Sequence, residues 1–125
     1  MKNKKLIQGF KDAFHGIISA LRSERNLRIH LVGAATAIAA SFYFKVESHE
    51  ILFVITAIFL VFIAEMFNTA VEAVVDLKTK EFHPLARIAK NVAAGAVLCA
   101  ALYALVVAYF VFAQRLKILY KLYFF

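Results

Sequence analysis

Proline occurs once in this sequence, cysteine once, glycine four times and tryptophan not at all. A lone cysteine excludes a disulfide framework, and Cys99, set between Leu98 and Ala100, reads as a small packing residue. Internal repeats and low-complexity segments are missing. So are GxxxxGK[ST], GxGxxG, HRD and DFG, which leaves any nucleotide site to be of another type. The four histidines, His15, His30, His49 and His83, lack HExxH or a comparable metal spacing and read as interfacial or loop residues, with His83 placed beside a candidate nucleotide loop. No Ser/His/Asp nucleophile arrangement can be argued.

What the chain has instead is apolar mass. Hydrophobic residues make up 63% of its 125 positions, too many for an ordinary soluble protein, and with so few chain breakers they imply one small integral membrane domain. Three apolar stretches, Ile29 to Phe44, Ile51 to Val75 and Val92 to Ala113, approach the ~20 residues that a span requires. The expected architecture is all-α: a single domain over residues 1–125, with a surface helix over about 4–26 and membrane spans over about 29–46, 51–76 and 85–113.

The formal net charge of +7 invites a nucleic-acid partner, but the basic residues flank the apolar stretches rather than interleaving with aromatics. Residues 1–28 and 77–91 hold most of the Lys and Arg, which places them in the cytoplasm. The tail Arg115-Leu-Lys117-Ile-Leu-Tyr-Lys121 opposes this assignment without reversing it. The N-terminal Met1-Lys-Asn-Lys-Lys is basic, but Lys11, Asp12 and His15 interrupt the apolar run from Leu6 to Leu21, so a cleaved signal is not expected. The localisation read from the chain is the cell membrane, multi-pass.

Leu6, Phe10, Phe14, Ile17 and Leu21 step by helical intervals opposite Lys4, Gln8, Lys11, Asp12, His15, Ser19 and Arg22, the pattern of an amphipathic helix lying on the inner leaflet. Gly9, Ala13, Gly16 and Ala20 form a small-residue flank open to a helix or a lipid chain. If this helix continues, Glu24 points with its apolar side; if it breaks first, Glu24 is a solvated partner of Arg25 or Arg28. Lys45 to Glu50 make a tight outer turn, and Pro84 opens the third span.

The most informative feature lies inside the second apolar stretch, where Glu65, Asn68, Thr69, Glu72 and Asp76 fall within about 100° of one helical face. Ionisable residues within a span point to a function, the plainer alternative being polar glue between helices. Lys90, above a stripe of mostly alanines in the third stretch, either meets this acidic face or snorkels to water. Glu65 lies about 10 Å deeper than Glu72, so the two do different work. A shallow carboxylate near the cytoplasmic surface suits Mg²⁺, with Glu72 and Glu24 as candidates. A deep carboxylate suits a general base for a lipid alcohol, and Lys90 would neutralise phosphate. These are parts for phosphoryl transfer.

Glu65-Met-Phe-Asn68-Thr69-Ala-Val-Glu72-Ala-Val-Val-Asp76, Ser23-Glu24-Arg25-Asn26 with Arg28-Ile-His30, and Ala89-Lys90-Asn91-Val-Ala-Ala-Gly95-Ala-Val together resemble the prokaryotic diacylglycerol kinase family, in particular its Gram-positive undecaprenol kinase branch. The resemblance spans roughly residues 8–112. It implies a trimeric helical bundle, each protomer with three transmembrane helices plus the surface helix, whose sites form between subunits. There the γ-phosphate of ATP, carried with Mg²⁺, passes to a membrane lipid alcohol on the cytoplasmic side. It implies Glu65 as base with Asn68 organising the site, and Glu24 and Glu72 as metal ligands. It implies nucleotide contacts from Asp12, Glu24, Glu72, Asp76, Glu81, Phe82, His83, Lys90 and Asn91. The family carries Asp where this chain has Asn91, a neutral near-isostere, which implies attenuated activity. Phe67 replaces a smaller aliphatic. A silent scaffold of the same fold and a proton-coupled transporter using Glu65 are the competing classes.

Overall fold

The computed structural model describes residues 2–125; Met1, the first residue of the basic N-terminal run, lies outside them. Four helices follow one another: α1 (Lys2–Ser23), α2 (Arg25–Tyr43), α3 (Ser48–Lys78) and α4 (Pro84–Phe124). No strand occurs among the described residues. α3 packs most extensively against α4 and less against α2, while α1 touches α2 and α3.

α1 stops because its carbonyls find a partner outside the helix. The Arg28 guanidinium donates from Nη1 to the carbonyls of Leu21 and Arg22 at 3.1 and 2.7 Å, capping an end that Gly would otherwise serve. Glu24 is extended, at φ −99° and ψ 115°, and begins α2 as its N-cap residue. The continuous-helix reading of Glu24 is therefore overturned, as is a first helix reaching residue 26. Glu24 accepts from Ser23 Oγ at 3.4 Å and does not pair with Arg28, whose charge the two carbonyls occupy. Leu6, Phe10 and Phe14 stay uncovered along α1. Space beside Gly9 and Gly16 is open, so the small-residue flank receives no helix from the described residues.

Two helices are long and apolar enough to cross a membrane, α3 and α4. At 1.5 Å per residue they measure about 46 and 61 Å, more than the ~30 Å hydrocarbon core needs. α2 falls short of the same measure because Arg25, Asn26, Arg28 and His30 occupy its first two turns. α4 does not end near residue 113 but runs on to Phe124. Its continuation is fixed by Arg115, whose two terminal nitrogens meet Glu50 Oε1 and Oε2 at 2.9 and 2.8 Å in a bidentate pair.

The core lies at this same end of the bundle, around the α2–α3 turn. Val46, Val54, Ala57, Val107 and Val111 are buried together, flanked by Phe44, Ile51, Ile58 and Phe112. The α2–α3 turn is closed by Phe44 N–H to Ala40, Lys45 N–H to Phe42 and Val46 N–H to Ser41. Lys45 takes the left-handed conformation at φ 48°. Glu47 and Glu50 form a reciprocal capping box that starts α3. At the inner end Pro84 occupies the first turn of α4, and His83 Nδ1 accepts from Leu85 N–H at 3.2 Å.

Candidate active site

The site is built outward from α3. Helical spacing stacks Glu65, Asn68, Glu72 and Asp76 one turn apart along a single side of the helix. Glu65 is buried, at 4% exposure, the one charged side chain so buried among the described residues. Thr69 shares its face but spends its hydroxyl inside the helix, donating to the Glu65 carbonyl at 3.0 Å. Asn68 Nδ2 donates to Glu72 Oε1 at 3.0 Å. This leaves Asn68 Oδ1 buried without a partner. A buried acceptor of that kind costs stability unless a donor arrives, and it sits beside a half-buried carboxylate.

No group of three or more His, Cys, Asp or Glu side chains is positioned to hold a metal among the described residues. Mg²⁺ takes one or two carboxylates and completes its shell with water and phosphate oxygens. Glu72 supplies a carboxylate already oriented by Asn68, and an unsatisfied amide oxygen stands ready for a donor such as bound water. Glu24, the other carboxylate expected at the metal, is partly buried at the α1–α2 junction, where Ser23 Oγ donates to it at 3.4 Å.

At the α3–α4 loop end of the same face Lys90 Nζ meets Asp76 Oδ1, so Lys90 turns to the acidic face of α3 rather than snorkelling away. Around this pair the loop between α3 and α4 forms an open cleft of about 230 Å³. Six residues singled out from the sequence, Asp76, Glu81, Phe82, His83, Lys90 and Asn91, line it together. Thr79 shapes its floor, with Oγ1 accepting from Glu81 N–H at 3.2 Å. Asp12 is not part of this cleft; on the exposed side of α1 it accepts from Gln8 Nε2 at 2.8 Å. Glu24, Glu65 and Glu72 lie outside the cleft lining as well.

Sequence reasoning missed two features. Arg87 and Lys80 line the cleft, and Arg87 could have been found from its place three residues before Lys90, on the same helical face. His30 is the more consequential. Read as an interfacial or loop residue, it is helical within α2, and its Nε2 stands 3.8 Å from Glu65 Oε1. Its signal was an ionisable side chain one turn into an apolar stretch.

Acids spaced along one face of an apolar helix, a cleft with three basic side chains at the α3–α4 loop and a buried carboxylate midway along the helix belong to a membrane-bound phosphotransferase. The family described as prokaryotic diacylglycerol kinase matches residues 11–112, and the chain belongs to that family. It is 40% identical over 103 residues to a diacylglycerol kinase of Synechocystis sp., across 82% of this chain and 59% of that protein. It is 33% identical over 112 residues to the undecaprenol kinase of Bacillus subtilis, across 90% and 91% of the two chains. With a diacylglycerol kinase of Escherichia coli it shares 29% identity over 102 residues, across 82% and 84%.

Proposed function

We propose that this chain transfers the γ-phosphate of ATP to a membrane lipid alcohol, with undecaprenol as the favoured acceptor. The observation that carries the reading is the buried Glu65 carboxylate on the same helical face as Asn68, Glu72 and the Asp76–Lys90 cleft. A buried carboxylate inside an apolar helix is costly unless chemistry uses it. Undecaprenol is favoured over diacylglycerol because the similarity to the Bacillus subtilis enzyme runs over nearly the full length of both chains. The Synechocystis diacylglycerol kinase is matched over only 59% of its length.

In this reading the cleft holds the nucleotide. Lys90, Arg87 and Lys80 face its phosphates, and Phe82 and His83 face the base or ribose. Glu72 and Glu24 would hold Mg²⁺, whose charge offsets that gathering on the phosphates. Asn68 keeps Glu72 aimed and offers Oδ1 to a donor at the transfer point. Glu65 takes the hydroxyl proton as the alcohol oxygen attacks the γ-phosphorus and ADP leaves. The remaining architecture belongs to the same proposal: one membrane domain over residues 1–125, α1 on the inner surface, α2 as a third span, and three copies sharing sites open to the cytoplasm.

Asn91 favours a second reading, a scaffold that keeps the fold without turnover, since a neutral amide lines the cleft where the family carries a carboxylate. One assay separates the two. Purified protein with γ-labelled ATP and Mg²⁺ is offered a panel of polyprenols and diacylglycerols. Label in undecaprenol above all others is the expected result. Label in diacylglycerol alone reassigns the acceptor, and no label in any lipid supports the scaffold.

A further inference from the structure

Glu65 is buried, so a proton it accepts has no direct route to water. The group beside it is His30, with Nε2 at 3.8 Å from Oε1 and a side chain 28% exposed against 5% for that of Glu65. The distance is within ion-pair range and a small side-chain rotation away from a hydrogen bond. A neutral imidazole carrying its proton on Nδ1 presents Nε2 as an acceptor, and histidine changes charge near neutral pH.

Nothing else on the neighbouring elements competes for the part. On α2, Arg28 is turned back to the carbonyls of Leu21 and Arg22, and Glu24 sits at the helix start. On α3, Glu72 is bonded to Asn68, and the Thr69 hydroxyl is spent on the backbone. α4 brings only apolar side chains, among them Ala104 and Ala108, to the cavity of about 330 Å³ that His30 lines. Among the described residues, His30 is the one ionisable side chain on that cavity's wall. α1 presents Arg22 and His15 to a separate surface hollow with Ser19 and Ser23.

We propose that His30 is a positioning and proton-relay residue for Glu65, an inference that rests on the lipid kinase reading. As the alcohol oxygen bonds to the γ-phosphorus and the bond to the bridging oxygen of ADP breaks, the hydroxyl proton passes to the Glu65 carboxylate. It moves on to Nε2 of neutral His30, and the imidazolium releases it to water, returning both side chains to their starting states. While it carries the proton, the imidazolium donates from Nε2–H to the Glu65 carboxylate and holds it facing the transfer point rather than the hydrophobic interior.

The test pairs a spectroscopic arm with a kinetic one on the full-length protein in lipid. Ring ¹⁵N resonances of His30, assigned by loss in His30→Gln, are expected to shift in Glu65→Gln; an unmoved ring overturns the pairing whether or not the chain turns over. In the kinase assay, His30→Gln is expected to lower kcat by about 10- to 100-fold, the lower part of what acid–base groups contribute, with KM for ATP and lipid within about twofold. Free imidazole should restore much of the loss in His30→Ala and none in Glu65→Gln. Unchanged kcat in His30→Gln, a loss carried by KM alone, or no restoration in a His30→Ala chain that still binds ATP overturns the relay. An unaltered chain that phosphorylates no lipid instead overturns the kinase reading, and the relay with it.

Discussion

Replacing Glu65 with glutamine removes one charge and almost no volume, which makes it the sharpest probe of the arrangement along α3. A general base contributes about 10²- to 10⁴-fold, so kcat should fall by that factor, or about 3–5 kcal/mol of barrier. The geometry sets what should not change. Asp76, at the nucleotide cleft, lies eleven residues along the helix, about 16 Å away. At an effective dielectric of about 20, one unit charge at that distance contributes about 1 kcal/mol. Two Debye lengths of physiological salt reduce it to about 0.1 kcal/mol. KM for ATP should therefore move by less than about twofold. The assay is transfer from γ-labelled ATP to undecaprenol in mixed micelles at saturating and limiting ATP, with circular dichroism reporting that the helices persist. Turnover within about threefold of the unaltered chain removes Glu65 as the base. A rise in KM for ATP as large as the fall in kcat would show that the deep carboxylate and the cleft are not separate parts.

Asn91→Asp restores a carboxylate to the cleft and should raise kcat at least about tenfold if the site is an attenuated enzyme; no label in either form would support the scaffold instead. Lys90→Ala leaves Asp76 unpaired and takes a cation from the cleft, so KM for ATP should rise about tenfold or more with a smaller effect on KM for lipid, measured across an ATP titration. Lys45→Gly relieves a non-glycine residue at φ 48° and should leave the protein as stable or up to about 1 kcal/mol more stable in detergent unfolding; a clear loss would mean the Lys45 side chain contributes contacts of its own. Arg115→Ala should lower the unfolding temperature, and Glu50→Ala and the double variant should lower it further and by nearly equal amounts, since Glu50 also closes the α3 capping box; kinase turnover should be unchanged, since the pair is at the far end of α3 from the cleft.

The helical order and the acidic face were legible because both rest on periodicity, which a sequence displays directly. For Lys90 the sequence left two alternatives, the acidic face or water; each of Asp76 and Lys90 sits within two turns of the loop joining their helices, and the contact between them decides for the acidic face. The break at Glu24 was not legible, since no Gly or Pro marks it. It is made by Arg28 reaching back to Leu21 and Arg22, a side chain capping the helix before its own. The extension of α4 was hidden for a different reason. Arg115, Lys117 and Lys121 look like the end of a span, yet Arg115 is held by Glu50 from a helix 65 residues earlier, and only tertiary packing reveals that partner. His30 failed in the same way, its meaning residing in a contact between α2 and α3.

The depth of each polar group along α3 also orders the proposed chemistry. Asp76 and Lys90 are at the α3–α4 loop, where in this proposal a water-soluble nucleotide arrives. Glu72 is one turn deeper, about 6 Å, and Asn68 one turn beyond that. Glu65 comes last, where water is scarce and a lipid hydroxyl is at home. A triphosphate entering from the loop would lie along this ladder with its terminal group foremost, so polarity falls in step with the reaction. The same arrangement accounts for a feature that stability alone would disfavour. Asn68 Oδ1 stays buried and unsatisfied midway, at the level where phosphate and alcohol would meet, and replacing Asn68 with leucine should then stabilise the fold while abolishing transfer. A variant that loses stability along with activity would show that the amide is structural glue and that the ladder ends at Glu72.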